Sequence, residues 1–354
     1  MARSAQEKGV EPPSEAGVRR AMENLVYCDA SQPGITRRRT GRGWAYWDAD
    51  GNRITNRDEI ERLNAIGLPP AYESAWFSAD PESHILAIGI DARGRKQYRY
   101  HPQFRAARDS QKFDACARFG RLLPLVRKRI ESDLNSRKLS RERAIASIVR
   151  LLDTGGIRIG NEAYAQANKS FGATTLRMRH AKLEGSVLKL RFKAKSGKLR
   201  EMRITDRNLT RFVRRMQDLP GQHLFQYLDG AGQPCPIGSG DVNDYLCQTM
   251  GEHFTAKHFR TWRASADAFE LLARADRQLS LKDLTAEVAS RLGNTPAIAR
   301  KSYIHPAVLA LVGGQATWRS SLKLPRPTRW LSSYERAFIA FLEQGPGAAE
   351  LIAA

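Results

Sequence analysis

The apolar residues of this chain change their spacing part-way along it, and that change constrains the fold more than any other feature. Up to about residue 100 they alternate, as in GWAYW, HILAIGI and KQYRY. Beyond residue 112 they recur every three or four residues, as in Ile145, Ile148, Val149 and Leu152. A period of two suits half-buried strands, and a period near 3.6 suits one face of a helix. The pattern predicts an α+β chain: a small β-rich N-terminal domain, then a larger, mostly α-helical domain carrying a small antiparallel sheet.

Residues 1–18 are polar and include Pro12 and Pro13, so a disordered tail is expected there. The β-rich domain is placed over 19–105 and the helical one over 106–354. The boundary lies in residues 103–112, which are polar and nearly free of aliphatics. A basic run, Arg37 to Arg39, leads into GRGWAYWDADG. In an extended chain Trp44 and Tyr46 point to one side and Trp47 to the other, and residues 48–51 offer a turn, as in a short hairpin. A helix is predicted over 56–66, ended by Gly67 and blocked by Pro69 and Pro70. HILAIGIDARGRKQYRYH reads as two strands joined by a turn around residues 91–94.

In the second domain the helix with Ile145 to Leu152 ends at Asp153-Thr-Gly-Gly156. Leu188, Leu190 and Phe192 alternate with Lys189, Arg191 and Lys193 as a half-buried strand. The turn at residues 195–198 returns the chain through Met202 and Ile204. Helical spacing resumes at Leu209, Phe212, Val213 and Met216, stopped by Pro220 and Gly221. Further helices are predicted from about Asp241, from about Thr255 and over 280–292. The last has Ser280 and Asp283 in a capping-box-like arrangement and Gly293 past its end. Thr295 as N-cap and Pro296 at N1 start the helix expected to carry Tyr303. Phe338, Phe341 and Leu342 suggest one more amphipathic helix, read as packing.

Charge narrows the partners. The 354 residues include 58 Lys and Arg against 37 Asp and Glu, a formal charge of +21. Such a field favours polyanions, nucleic acid ahead of an anionic membrane surface. No apolar run approaches the ~20 residues needed to span a bilayer, and the first residues lack the apolar core of a signal peptide. Cys28, Cys116, Cys235 and Cys247 stand far apart with no CxxC pair, which suits reduced thiols better than disulfides or zinc. A soluble, cytoplasmic protein associated with the nucleoid is expected. No GxxxxGK[ST] loop points to ATP, and no acidic constellation points to a two-metal nuclease.

Six residues form a candidate constellation: Arg158, Lys195, Lys257, Arg260, Asn294 and Tyr303, in IRIGNEAY, FKAKSGK, TAKHFRTW and GNTPAIARKSY. Each has a plain reading. Arg158 is one basic residue among many, Lys195 a soluble hairpin tip, Lys257 and Arg260 a solvated helix face, Tyr303 amphipathic packing. Together they offer cations for a pentavalent phosphate, a phenol to attack it and an ammonium able to give up a proton. Lys suits that last task where Arg does not. Arg158, following a double glycine, is read as opening a helix whose N-terminus could help bind phosphate. His305 is given no catalytic role.

In order and spacing over about residues 36–310, these segments resemble the type IB DNA topoisomerases of the short bacterial and poxvirus form. The resemblance rests chiefly on TAKHFRTW followed by TPAIARKSY, with IDARGRKQYRY similar to that family's N-terminal DNA-clamping hairpin. It implies a catalytic domain related in fold to tyrosine recombinases and, with the β-rich domain, a C-shaped clamp on double-stranded DNA. By position, Tyr303 would form a 3′-phosphotyrosyl bond, Arg158 and Arg260 would hold non-bridging oxygens, and Lys195 would be the general acid. Lys257, Tyr164, Gln97 and Tyr98, with Arg95 and Lys96 beside them, would contact DNA. Many members have histidine where this chain has Asn294; a neutral amide bond is weaker, so the reaction should be slowed but not abolished. Relaxation by a monomer, without ATP, metal or other cofactor, follows from the resemblance. Two alternatives remain: a tyrosine recombinase, usually tetrameric with a helical N-terminal domain, and a non-catalytic basic nucleoid protein.

Overall fold

A computed structural model describes residues 25–41, 43–219 and 221–353; the expected tail over 1–18 lies outside them. The backbone divides into two compact units, Met1–Gln111 and Lys112–Ala354.

The first unit is built on five antiparallel strands, β1 (Ile35–Thr40), β2 (Gly43–Trp47), β3 (Glu73–Phe77), β4 (Ile85–Ile90) and β5 (Lys96–Tyr100), in the order β2-β1-β3-β4-β5. Alternation buries Ile35, Tyr46, Phe77 and Ala87 in one core with Leu63 and Leu68, and Trp44 packs against it as its parity with Tyr46 requires. The hairpin partner of GWAYW is the basic run before it, with Arg37 opposite Tyr46 and Arg39 opposite Trp44. The turn at residues 48–51 is present but leads only to a bridge between Trp47 and Arg53. Arg37 is consequently structural: its guanidinium lies 4.1 Å over the Trp44 ring and donates to the Leu68 and Pro69 carbonyls. Helix α1 (Arg57–Ala65) starts where Asn56 accepts from the Glu59 amide at 3.0 Å and gives way to Gly67 at φ +65°.

Residues 103–112, the polar boundary segment, are helical. They are the opening turns of α2 (Pro102–Asn135), 34 residues long, and the division between the units falls inside this helix. Polarity alone does not break a helix: Gln, Arg, Ala and Lys are good helix formers. Phe104 and Ala107, three residues apart, are enough to pack on Leu25.

The second unit surrounds α3 (Arg141–Gly155), whose Ile145, Ile148, Val149 and Leu152 are buried as their spacing requires. After α4 (Glu162–Asn168) comes the sheet β6 (Ala181–Glu184), β7 (Val187–Lys193) and β8 (Leu199–Thr205), with Leu188, Leu190 and Phe192 facing inward. There follow α5 (Arg207–Gln217), the small pair β9 (Gln226–Leu228) and β10 (Pro234–Pro236), and α6 (Ser239–Met250). Then come α7 (Ala256–Arg274), α8 (Leu281–Leu292), α9 (Pro296–Ser302), α10 (Pro306–Ala310), α11 (Gln315–Ser321), α12 (Ser333–Gln344) and α13 (Ala348–Ala353). α12 packs behind α7: Phe338 lies 5.3 Å from Trp262 and 5.4 Å from Phe269, ring centre to ring centre. The predicted C-terminal amphipathic helix is therefore core. His305 is buried too, its Nδ1 accepting from the Ala307 amide to cap α10 and its ring edge-on to Phe113.

Candidate active site

The site assembles from the ends of helices rather than from their middles. Gly156, at φ +56°, closes α3 with its amide on the Leu152 carbonyl. Residues 157–160 then form neither helix nor strand, and α4 begins only at Glu162, capped by Asn161. Arg158 is thus not at a helix start, and no helix dipole supports it. Two backbone bonds hold it instead, Ala173 to the Arg158 carbonyl at 2.8 Å and Thr174 to the Ile159 carbonyl at 2.7 Å. The chains approach so closely that a Cβ on Gly172 would stand 2.6 Å from the Arg158 carbonyl oxygen.

Arg260 and Lys257 share the first turns of α7 but not an environment: Arg260 is buried at 3% exposure and Lys257 is exposed. The Arg260 guanidinium donates to the Gly156 and Leu292 carbonyls, each two residues from another member of the constellation. Asn294 leaves the axis of α8 because Gly293, at φ +65°, turns the chain and the Asn294 amide returns to the Ala289 carbonyl. Its Oδ1 accepts from Arg158 Nη2 at 2.7 Å.

Tyr303 is not within a helix either. α9, started by Thr295 and Pro296 as expected, ends at Ser302, and Tyr303 is its C-cap at φ −132° and ψ −37°. Ser265 of α7 fixes it, donating to the Tyr303 carbonyl at 3.0 Å while accepting from the His305 amide at 2.9 Å. The phenol ring lies under Arg260, 4.8 Å from its guanidinium carbon. Lys195 sits at the tip of the β7–β8 hairpin, where Ser196 and Gly197 both take positive φ. It lines a single cavity with Arg158, Arg200, Arg260 and Gly293.

Electrostatically the site is a deficit of acceptors. Among the described residues, Arg158, Arg200 and Arg260 meet carbonyl and amide oxygens and, for Arg260, the Tyr303 hydroxyl, but no carboxylate. Nearby arginines are paired: Arg263 with Asp267, Arg150 with Asp206, Arg127 with Asp153 and Glu335. Burial, and then the charge of Arg158, lowers Arg260 to about 10, so it remains a cation at neutral pH. Burial pushes the Tyr303 phenol up, but Arg260, with Arg158 and Lys257, outweighs it and leaves the phenol below its usual value. Two donors in the site, Arg260 Nε and Asn294 Nδ2, are buried without any acceptor.

The expected DNA contacts in the first unit stand on and beside β5. Arg95 pairs with Asp91 at 2.7 Å, and Gln97 Nε2 donates to the same carboxylate at 3.0 Å. Lys96 is exposed, and Tyr98 is 43% exposed and stacks on Tyr100. In the second unit Tyr164 lies half-buried on α4. Sequence reasoning missed Gly172, Ser265 and Arg200. Only Arg200 left a trace: it shares parity with Met202 and Ile204, so a cation ends an otherwise apolar strand face. Among the described residues no three His, Cys, Asp or Glu gather as a metal site would, and no helix is long and apolar enough to cross a membrane.

Comparison with known proteins gives concordant matches. Residues 101–313 match the family described as eukaryotic DNA topoisomerase I, catalytic core, and residues 43–91 match bacterial DNA topoisomerase IB, N-terminal domain. The DNA topoisomerase 1B of Acanthamoeba polyphaga mimivirus is 32% identical over 292 residues, 78% of this chain and 87% of that protein. DNA topoisomerase 1 of Mycosarcoma maydis is 28% identical over 62% of this chain, which spans only 24% of that protein. The DNA topoisomerase 1B of vaccinia virus (strain Copenhagen) is 21% identical over 68% of this chain and 76% of its own length. Among solved structures, the XerH site-specific recombinase in a post-cleavage complex with palindromic difH substrate aligns with TM-score 0.36 and 14% identity. It covers 54% of this chain and 50% of its own, a likeness too slight to bear weight.

Proposed function

The chain belongs to the type IB DNA topoisomerases, and from that membership we propose that it relaxes supercoiled duplex DNA by cutting one strand through Tyr303. The Tyr303 oxygen attacks phosphorus; the phosphotyrosyl bond forms at the 3′ side as the bond to the 5′ oxygen breaks. Lys195 supplies the proton that the departing 5′ oxygen takes. Arg158 and Arg260 hold the non-bridging oxygens, and Asn294 adds a neutral donor. Lys257 steadies the phosphate region from the exposed side of α7. The ester conserves the energy of the broken phosphodiester, so rejoining draws on neither ATP nor a metal. While one end is held, the free 5′ end swivels about the intact strand.

The pair of buried, unpaired donors carries this reading. An unsatisfied buried donor costs about 1–3 kcal/mol, and Arg260 Nε, over the Tyr303 ring, and Asn294 Nδ2, on the side chain bonded to Arg158, both go without an acceptor. A group rich in acceptor oxygens and negatively charged would satisfy both, and a phosphodiester is such a group. In this reading residues 19–105 form the DNA-holding domain, with Arg95, Lys96, Gln97 and Tyr98 on or beside the contacting strand, and 106–354 the catalytic domain, with Tyr164 near the cut. The enzyme works as a monomer on the nucleoid.

The test is plasmid relaxation without ATP or magnesium, with denaturant added to trap covalent protein on DNA. Tyr303→Phe is expected to lose both relaxation and adduct while DNA affinity stays within about twofold, since one hydroxyl contributes little to a backbone-dominated interface. An adduct persisting in Tyr303→Phe refutes the assignment of the nucleophile.

A further inference from the structure

Two cations lining the site's cavity, Arg200 and the exposed Lys198, have no task in the reaction above, and of these Arg200 is the one bonded to other segments of the site. It lies on β8 opposite Phe192, the last buried residue before the hairpin tip that carries Lys195. Its Nη1 donates to the Ser290 carbonyl at 3.0 Å, and its Nη2 to the Arg291 carbonyl and, at 3.4 Å, to that of Gly155. These carbonyls lie at the C-terminal ends of α8 and α3, where a cation is favoured, although that of Ser290 also accepts from the Gly293 amide. One guanidinium therefore joins three segments: the hairpin with Lys195, the turn before Arg158 and the turn before Asn294.

The hairpin needs such a tie. Residues 195–199 are all exposed, so packing does not hold the tip. On the β7 side the fastening is the packing of the half-buried Ala194 on the core and one backbone bond, from Phe171 to the Lys193 carbonyl at 2.7 Å. On the β8 side the fastening is Arg200, and a Cβ on Gly293 would already touch its Nη1 at 3.1 Å. A long, flexible lysine can deliver a proton only if its Cα stands at a fixed distance from the phosphate.

We propose that Arg200 is a positioning residue for the general acid: by bonding the carbonyl ends of α3 and α8 it holds the hairpin so that Lys195 reaches the 5′ oxygen. This rests on the reading of Lys195 given above. Arg200 touches no reacting atom itself.

The test uses the full-length protein and two matched duplexes, one with the ordinary 5′ oxygen and one with sulfur bridging at the cut. A thiolate leaves without a proton, so the sulfur duplex needs no acid. Arg200→Ala is expected to slow single-turnover cleavage of the ordinary duplex on the order of 10²-fold, and to cleave the sulfur duplex at nearly the wild-type rate. Arg200→Gln, which keeps a donor and most of the side-chain volume, should fall between the two and guards against a folding defect. Combining Arg200→Ala with Lys195→Ala should slow ordinary cleavage no further than Lys195→Ala alone. If sulfur rescues Lys195→Ala but neither Arg200 variant, or if both Arg200 variants cleave ordinary DNA at the wild-type rate, the positioning role is overturned and Lys195 keeps its own. If sulfur fails to rescue Lys195→Ala, the acid assignment falls and this proposal with it.

Discussion

Asn294 concentrates the chemistry of the site in one side chain. Its oxygen is committed to Arg158 and its nitrogen has no acceptor, so orientation of the amide is fixed by one neighbour and its donor is left for a ligand. Replacing it with alanine removes a donor to an anionic group, an interaction of about 1.5–3 kcal/mol, or roughly 10- to 100-fold in rate. Asn294→Asp keeps the shape but sets a carboxylate where the donor stood. It would neutralise Arg158 and repel a phosphate, so cleavage should be slower than in Asn294→Ala. Single-turnover cleavage of a short duplex measures both; an Asp variant faster than the Ala variant would remove the donor role. The sequence identified this position by its segment alone. That its two amide atoms have opposite fates depends on Arg158, 136 residues away.

At the scale of elements, helix ends were legible and their consequences were not. Ser280, Thr295 and Gly293 cap helices as their types dictate, because capping is settled within a few residues of chain. The helix expected at Arg158 is absent: two glycines at positive φ flank the segment, and backbone bonds hold it against residues 173 and 174, a contact no local pattern encodes. That contact makes a prediction. Gly172 has an ordinary extended backbone at φ −138°, so alanine there meets no dihedral strain, but its Cβ would stand 2.6 Å from the Arg158 carbonyl oxygen and 2.6 Å from the Gly160 amide nitrogen. Gly172→Ala should displace Arg158 and slow cleavage about tenfold or more, with much smaller loss of DNA affinity. Gly240→Ala, where an added Cβ meets nothing within 4 Å, should leave cleavage unchanged. Equal behaviour of the two variants in single-turnover cleavage would count against the backbone clamp. The polar opening of α2 teaches the same lesson from the other side: missing aliphatics did not keep residues 103–112 from being helical, and there Phe104 and Ala107 pack on Leu25.

For the molecule as a whole, the buried His305 ties stability to pH. Burial lowers its pKa from 6.5 to about 4 in the fold, and its Nδ1 must stay unprotonated to accept from the Ala307 amide. The unfolded chain takes up this proton first as pH falls, so stability present above about 6.5 is lost progressively towards pH 4. The shift corresponds to roughly 3 kcal/mol at most. His305→Asn can still cap α10 but cannot titrate, so its melting temperature should fall less than the wild type's between pH 6.5 and 4. Parallel curves in thermal unfolding would show that His305 is not the responsible group. Carboxylates held low by arginines, Glu335 beside Arg127 among them, add a further loss below that window in both proteins.

What the sequence determined by itself is local: the change from strand to helix period, most caps, the excess of positive charge, and the residue types able to attack, steady and protonate at phosphorus. These follow from a few residues at a time, so they survive without knowledge of the fold. What the tertiary structure alone decided is pairing: Arg260 bonded across 104 residues to Gly156, Tyr303 fixed by Ser265, and Arg200 turned from a strand residue into a brace. Whether a buried donor is satisfied depends on every chain segment that could reach it, and that sum exists only once the chain has closed on itself.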